Sequence, residues 1–282
     1  MNLSFEDLNN KVCVITGGAG VIGSSIAHGL ATIGVKVVVM DLFKNKAEAL
    51  AAEISEKTKG QALGIEGNVL NEDSLLKAKQ EINRQFGPID ILINGAGGNA
   101  PTATTDIEMM EKSDLGLDKK TFYGLDLDGF RKVFDLNFLG TLLPSMVLTK
   151  DMLESGKGVV LNISSMNAFR PLTKIPAYSA AKASINNFTE WLAVHLAKTG
   201  IRVNAVAPGF FLTQQNRFLL VNESTENLTT RGEKIISNTP MGRFGTPDDL
   251  LGTVAYLLSD VSAFVTGIVI PVDGGFNAYS GV

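Results

Sequence analysis

"KVCVITGGAGVIG", residues 11–23, joins a run of β-branched and apolar residues to a glycine-rich turn and then to the start of an amphipathic pattern. The first six residues read as a strand. Glycines without a Cβ let the chain turn sharply and come close to a pyrophosphate, and a helix that begins here aims its free N–H groups at that anion. A glycine-rich string is weak on its own; its place between the first strand and first helix of a βαβ unit gives it weight.

The same strand–helix alternation continues outward. Strands are expected at 11–16, 35–41, 61–69, 89–94, 158–164, 201–207 and 265–272, and helices at 22–33, 45–58, 71–86, 128–153, 177–199 and 247–258. The strands are continuous apolar runs rather than alternating ones, the mark of a parallel sheet buried on both faces. The fold class is therefore α/β, a doubly wound parallel sheet. No composition break or repeat divides the chain, so residues 1–282 are expected to form a single domain. Segments 98–127 and 210–240 resist the alternation. Both follow strand C-termini, where loops of open α/β sheets line the ligand crevice, so they are expected to be substrate loops; variable surface loops are the competing reading.

At 282 residues and 45% hydrophobic content the chain has ample material for its own core, and a net charge of −4 gives no general attraction to nucleic acid or anionic membrane. No apolar run approaches the ~18 residues of a membrane span, and "MNLSFEDLNN" lacks the apolar core of a signal peptide. The lone Cys13, inside "KVCVIT", reads as a packed thiol of a reducing compartment, and a cytoplasmic location is expected. His28 and His195 have no acidic or cysteine partners at ligand spacing, so no metal is expected.

The second strand ends in Asp41, about twenty residues beyond the glycine turn, where a carboxylate can accept hydrogen bonds from both hydroxyls of an adenosine ribose and would repel a 2′-phosphate. NAD is therefore the expected cofactor, with capping of the next helix as the plainer role for Asp41. "YSAAK", 178–182, places a tyrosine and a lysine on one helix face. Such a pair occurs often by chance and means little locally.

Several motifs together resemble the short-chain dehydrogenase/reductase family, nearly from end to end: "TGGAGVIG" at 16–23, "NGAG" at 94–97, "YSAAK" at 178–182 and "PGFFLT" at 208–213, with Ser165 thirteen residues before Tyr178 and Asn137 in "DLNFLG". The resemblance implies a Rossmann fold, hydride transfer between NAD(H) and a CH–OH group, a homotetramer, and a catalytic set of Asn137, Ser165, Tyr178 and Lys182. Tyr178 would be the acid/base, its pKa lowered by the Lys182 ammonium one turn away. Lys182 would hold the nicotinamide ribose, Ser165 the reacting oxygen, and the Asn137 main chain a proton-relaying water. The cofactor wall would comprise Gly17, Gly18, Gly20, Val21, Ile22, Gly23, Asp41, Asn68, Val69, Asn94, Ala96, Gly97, Tyr178, Lys182, Pro208, Gly209, Phe211 and Thr213. Val21 stands where the family has a loop glycine, with Gly20 expected to supply the flexibility. Gly95 and Asn68 also depart from the family pattern.

Asn99, Ser165, Asn167, Arg170, Lys174, Gln214 and Arg217 are the expected substrate contacts. Amides and guanidinium groups around a hydride-transfer site suit a polyhydroxylated acid, whose carboxylate needs a cation. Surface solvation is the competing reading for Lys174 and Arg217. "NGAGGNAP", "FDLNFLGTLLPSMV" and "APGFFLTQQNRFLL" also resemble one branch within that family, its D-mannonate oxidoreductases, or fructuronate reductases. That likeness implies interconversion of D-fructuronate and D-mannonate. Another sugar-acid or polyol dehydrogenase such as gluconate 5-dehydrogenase, or a catalytically idle dinucleotide-binding regulator, are the alternatives.

Overall fold

The computed structural model describes residues 4–213, 217–222 and 225–281. The apolar runs form β1 (Val12–Thr16), β2 (Lys36–Asp41), β3 (Ala62–Glu66), β4 (Ile91–Asn94), β5 (Gly158–Ile163), β6 (Ile201–Pro208) and β7 (Val269–Val272). All pair in parallel, in the order β3-β2-β1-β4-β5-β6-β7. The helices are α1 (Val21–Thr32), α2 (Lys44–Thr58), α3 (Glu72–Gln85), α4 (Leu127–Phe134), α5 (Gly140–Leu148), α6 (Lys150–Ser155), α7 (Pro176–Leu196), α8 (Arg217–Leu220), α9 (Thr230–Ser237) and α10 (Leu251–Leu258).

Strand residues divide by parity between two helical layers, because successive side chains of a strand point to opposite faces. Cys13, Ile15, Val37, Val39, Ile91 and Ile93 meet α1, α2 and α10, whereas Val12, Val14, Val38, Met40 and Leu92 meet α3, α5 and α7. Both parities are therefore apolar. Cys13 is fully buried in the first layer, and burial pushes its thiol far above the usual range. No helix among the described residues is long and apolar enough to cross a membrane.

β1 and β4 are neighbours although β2 and β3 lie between them in sequence, so the connections from their C-terminal ends leave in opposite directions and open a crevice. The glycine turn after β1 and the "NGAG" turn after β4 flank it. β7 closes the other side of the sheet as an edge strand: the Ile268 and Val272 carbonyls accept from the β6-side amides of Ala205 and Gly209, at 2.8 and 3.0 Å. By the two-residue period of a strand, Pro271 turns its backbone to the free edge.

The long helix expected at 128–153 is broken. After α4, residues Asp135–Leu139 form a π-helical turn before α5 and α6 continue. The Asn137 side chain causes this locally: its Nδ2 donates to the Val133 carbonyl at 2.7 Å, taking the acceptor that the helix amide would otherwise use. Two strands are shorter than expected. β3 stops at Glu66, and β7 begins only at 269, because residues 266–267 engage Val203 through the Thr266 hydroxyl and the Gly267 amide in a turn at φ +80°.

Segment 98–127 contains three single 3-10 turns, and segment 210–240 contains α8 and α9. Each packs a small apolar cluster of its own: Ala100 and Ala103 against Phe130, Val133, Ala177 and Tyr178, and Leu220, Val221 and Ile235 against Phe210, Leu212 and Phe244.

Candidate active site

A cleft with about 1170 Å³ of empty space runs along the C-terminal ends of the central strands. Gly17, Gly20, Val21, Ile22 and Gly23 form one end, Asp41 stands beside them, and Gly97, Ser165, Tyr178, Lys182, Pro208, Gly209 and Thr213 line the remainder. The spacing in sequence that singled these residues out is thus a single surface in space.

The glycines at the turn are required by contact. Gly17 has φ +62°, and a Cβ there would lie 2.8 Å from the Ala96 Cα; a Cβ on Gly23 would lie 2.7 Å from the Gly17 carbonyl oxygen. Gly20, by contrast, has φ −74° and ψ 167°, ordinary extended backbone, so Val21 needs no special flexibility before it. Gly20 is the N-cap of α1 and makes no side-chain cap, which leaves the first N–H groups of that helix facing the cleft. Thr16, fully buried, accepts from the Gly95 and Ala96 amides at 3.1 and 3.3 Å and so fixes the β4 turn against the β1 turn. Thr16, Gly98 and Ser164 have no place in the expected site, and Gly95 stands there only as a departure from the family pattern; the last three line the cleft, and the second glycine-rich turn "NGAGG" is the signal for the two glycines.

Asp41 is already oriented. One carboxylate oxygen accepts from the Ala19 amide at 3.3 Å and the other from Phe43 at 3.2 Å. The nearby lysines turn elsewhere: Lys44 pairs with Glu48 at 3.6 Å, and Lys46 stands over the Phe43 ring.

Tyr178 and Lys182 rise from the first turns of α7, which Pro176 starts at a position where a missing N–H costs nothing. The Ser165 hydroxyl, just beyond the end of β5, accepts the Asn167 amide at 3.3 Å and faces the same cleft as the phenol. The expected depression of the phenol is reversed. Burial raises Tyr178 above the usual phenol value, and the Ser165 hydroxyl offsets only part of it. Lys182 Nζ donates to the Ile163 carbonyl at 2.7 Å and lies 5.6 Å from the Tyr178 ring centroid. Lys182 itself, 4% exposed, is pushed down by burial to about 8.

Asn137 is fully buried at the π turn. Its Nδ2 also donates to the Gly98 carbonyl at 2.7 Å and its Oδ1 accepts the Gly98 amide at 3.2 Å, so it clamps the β4 turn from behind. Its own carbonyl accepts the Thr141 hydroxyl at 2.9 Å, which leaves one lone pair for another donor.

Several expected contacts lie elsewhere. Asn94 is buried in the sheet, donating to Ser145 and Asn162 at 2.9 Å each. Gly18 is pressed against β2, where a Cβ would meet Val39 and the Ile15 carbonyl. Phe211 is a core side chain and borders a separate cavity beside β7. The Asn68 side-chain Oδ1 accepts the Leu70 amide at 2.9 Å, Val69 packs on Gly140, and Ala96 abuts Gly17. Of the expected substrate residues that are described, only Ser165 lines the cleft. Asn99 bonds Thr104, the exposed Arg170 reaches the Asn277 carbonyl at 3.4 Å, and Arg217 pairs with Glu226 at 2.5 Å. Asn167 is buried behind Ser165, Lys174 sits at φ +72° on the rim, and Gln214 lies outside the described residues.

The buried ammonium has a thermodynamic consequence. A lysine whose folded pKa lies below its unfolded value costs stability, because the unfolded chain holds the proton more tightly; the cost is full below about pH 8 and fades as pH rises toward 10.5. At neutral pH it is on the order of 3 kcal/mol. Lys182→Met, which forfeits about 1 kcal/mol at the Ile163 carbonyl, is therefore expected to raise the melting temperature of the free protein at pH 7, with the advantage shrinking by pH 10. A lower melting temperature at pH 7 would contradict it.

The sequence profile of the short chain dehydrogenases matches residues 11–223. The chain is 51% identical over 278 residues to an uncharacterized oxidoreductase of Bacillus subtilis, UxuB, with 98% of both chains covered. It is 32% identical over 282 residues to a 2-dehydro-3-deoxy-D-gluconate 5-dehydrogenase of Formosa agariphila, covering 100% of this chain and 98% of that one. A crystal structure of a candidate D-mannonate oxidoreductase from Haemophilus influenza with bound NAD superposes with a TM-score of 0.93, at 50% identity and 98% coverage of each chain.

Proposed function

The chain belongs to the short-chain dehydrogenase family, an oxidoreductase family acting on CH–OH groups, and from that premise we propose that it transfers a hydride between NAD(H) and a sugar acid, D-fructuronate/D-mannonate fitting best. The observation that carries the catalytic part is that Ser165, Tyr178 and Lys182 line one wall of the cleft together, with Lys182 one helical turn beyond the phenol. The sugar-acid class is supported by the names of two relatives.

The residues present fit a dinucleotide. A turn kept tight by Gly17 and Gly23, where a Cβ would strike neighbouring backbone, with open N–H groups at the α1 N-terminus, suits a pyrophosphate, and the oriented Asp41 carboxylate suits a ribose diol. When bound, NAD(H) supplies or accepts the hydride. In the reductive direction the Tyr178 hydroxyl gives its proton to the forming alkoxide oxygen, and the Ser165 hydroxyl donates to that same oxygen as charge grows on it. The elevated phenol remains protonated at neutral pH, which suits this direction. Lys182 leaves the Ile163 carbonyl to hold ribose hydroxyls and to resupply the proton, and Asn137 keeps the Gly97–Gly98 turn in place beside it. The whole chain acts as one domain in this reading, with 98–127 buttressing the Tyr178 ring through Ala100 and Ala103.

A panel of sugar acids assayed with NADH and NADPH tests the proposal. D-Fructuronate with NADH is expected to give the highest kcat/KM, at least about tenfold above NADPH, because Asp41 repels a 2′-phosphate. Asp41→Ala with Leu42→Arg is expected to bring the two cofactors together. Greater activity with gluconate-type acids would move the substrate to the alternative; preference of the wild type for NADPH would sink the cofactor assignment.

A homotetramer is the assembly we favour, supported by apolar side chains left in solvent on the 127–155 and 176–196 helices: Met146 is 60% exposed, Trp191 56% and Val194 80%. The C-terminal "VDGGFNAYSGV" is placed in the same interface. Light scattering at micromolar concentration is expected to give four chains, and Trp191→Glu a smaller mass; a monomeric wild type would refute it.

A further inference from the structure

The two long loops meet at their tips. Glu108, from 98–127, and Lys234, on α9, form an ion pair at 2.5 Å across 126 residues of sequence. Beside it the Thr105 amide donates to the Lys174 carbonyl at 2.9 Å, which draws in the connection between Ser165 and Tyr178. Lys234 holds the Glu108 carboxyl below its usual range, by its hydrogen bond and then by its charge, and the charges of Lys174 and Arg231 act in the same direction. One carboxylate thus faces three cations, on a chain whose net charge is −4. The location matters: Ala100 and Ala103, from the loop that carries Glu108, belong to the same small apolar cluster as Tyr178, and Lys174 precedes Tyr178 by four residues. Stability does not account for the arrangement. Lys234 and Glu108 are 63% and 40% exposed, and exposed ion pairs add little to folding and part easily.

We infer that Glu108, Lys174, Arg231 and Lys234 form a cationic strap across the mouth of the cleft that gathers a carboxylate-bearing substrate, with Glu108 as the internal competitor that the substrate carboxylate displaces. The inference rests on the sugar-acid reading above. A concave site edged by one sign of charge raises the local concentration of the opposite ion and its capture rate. That effect is lost as the screening length falls from about 10 Å at 0.1 M to about 3 Å at 1 M salt. These are positioning residues. They act on capture and leave the Tyr178 chemistry alone.

Steady-state kinetics of wild type, Arg231→Gln, Lys234→Gln and Glu108→Gln, with the most active sugar acid of the panel and saturating NADH, test this between 0.02 and 1 M salt. At low salt Arg231→Gln and Lys234→Gln are expected to lower kcat/KM on the order of tenfold through KM, with kcat unchanged, and Glu108→Gln to raise it. The four proteins should converge at high salt. Variants that match wild type at every salt concentration, or whose losses persist at 1 M, would overturn the strap alone. A wild type inert toward every sugar acid would overturn the functional reading and the strap with it.

Discussion

Tyr178→Phe is expected to lower kcat by about 10²-fold or more while leaving NADH affinity within about twofold, the usual scale for losing a general acid whose ring is otherwise kept. The phenylalanine ring retains the contacts with Ala100, Ala103, Phe130, Val133 and Ala177 that fix the side chain. What disappears is the hydroxyl that shares the cleft wall with Ser165. The pH dependence of the wild type follows from the same site. Because burial raises the phenol, alcohol oxidation, which needs the phenolate, is expected to climb as pH rises above neutral, whereas ketone reduction stays flat there. Stopped-flow turnover with NADH fluorescence titration separates chemistry from binding. Full activity in Tyr178→Phe would end the proposed mechanism.

Gly23→Val is expected to weaken NADH binding by at least about 100-fold, since overpacking a filled site shifts backbone rather than a side-chain tip. A Cβ at this position would already lie 2.7 Å from the Gly17 carbonyl and 2.9 Å from Gly18 backbone atoms, so the glycine turn has to move outward into the volume a pyrophosphate would take. Stability should fall by about 1–3 kcal/mol, short of unfolding a domain this large. Gly252→Ala on α10 serves as the control, because a Cβ there meets nothing within 4 Å; it should leave NADH affinity unchanged and stabilise slightly. Calorimetric titration decides it: a folded Gly23→Val protein that binds NADH like wild type would show that the glycine turn is not the dinucleotide site.

The sheet was legible because its strands are apolar at both parities, and Cys13, Val14 and Ile15 must then be covered on two sides. The cleft residues with backbone roles were legible for a related reason: a glycine directly after a buried strand marks a turn that a side chain would obstruct. The π turn was not. It depends on a side-chain amide competing for one carbonyl, and the apolar period of 128–153 runs through it unchanged. The side-chain directions of Asn94 and Phe211 were not legible, because motif membership says which residues recur together, not which way they point; one faces Ser145 and Asn162 inside the sheet, the other the core. The direction of the Tyr178 shift was not legible because the four-residue spacing to Lys182 shows a charge but not the burial that raises the phenol. Arg170 shows the limit for exposed residues, where the sequence offers a charge but no orientation.

Pro271 bears on self-association. An edge strand offers its outward amides as a template on which another extended chain can add itself, the first step toward β-aggregates. In β7 the carbonyls of Ile268 and Val272 are taken by β6, so the outward positions of this four-residue strand are Val269 and Pro271. Proline has no amide hydrogen to give. A foreign strand laid along β7 would find one donor, at Val269, where a template needs a ladder. Pro271→Val would restore the second, and the cost would show as turbidity on heating well before any loss of fold.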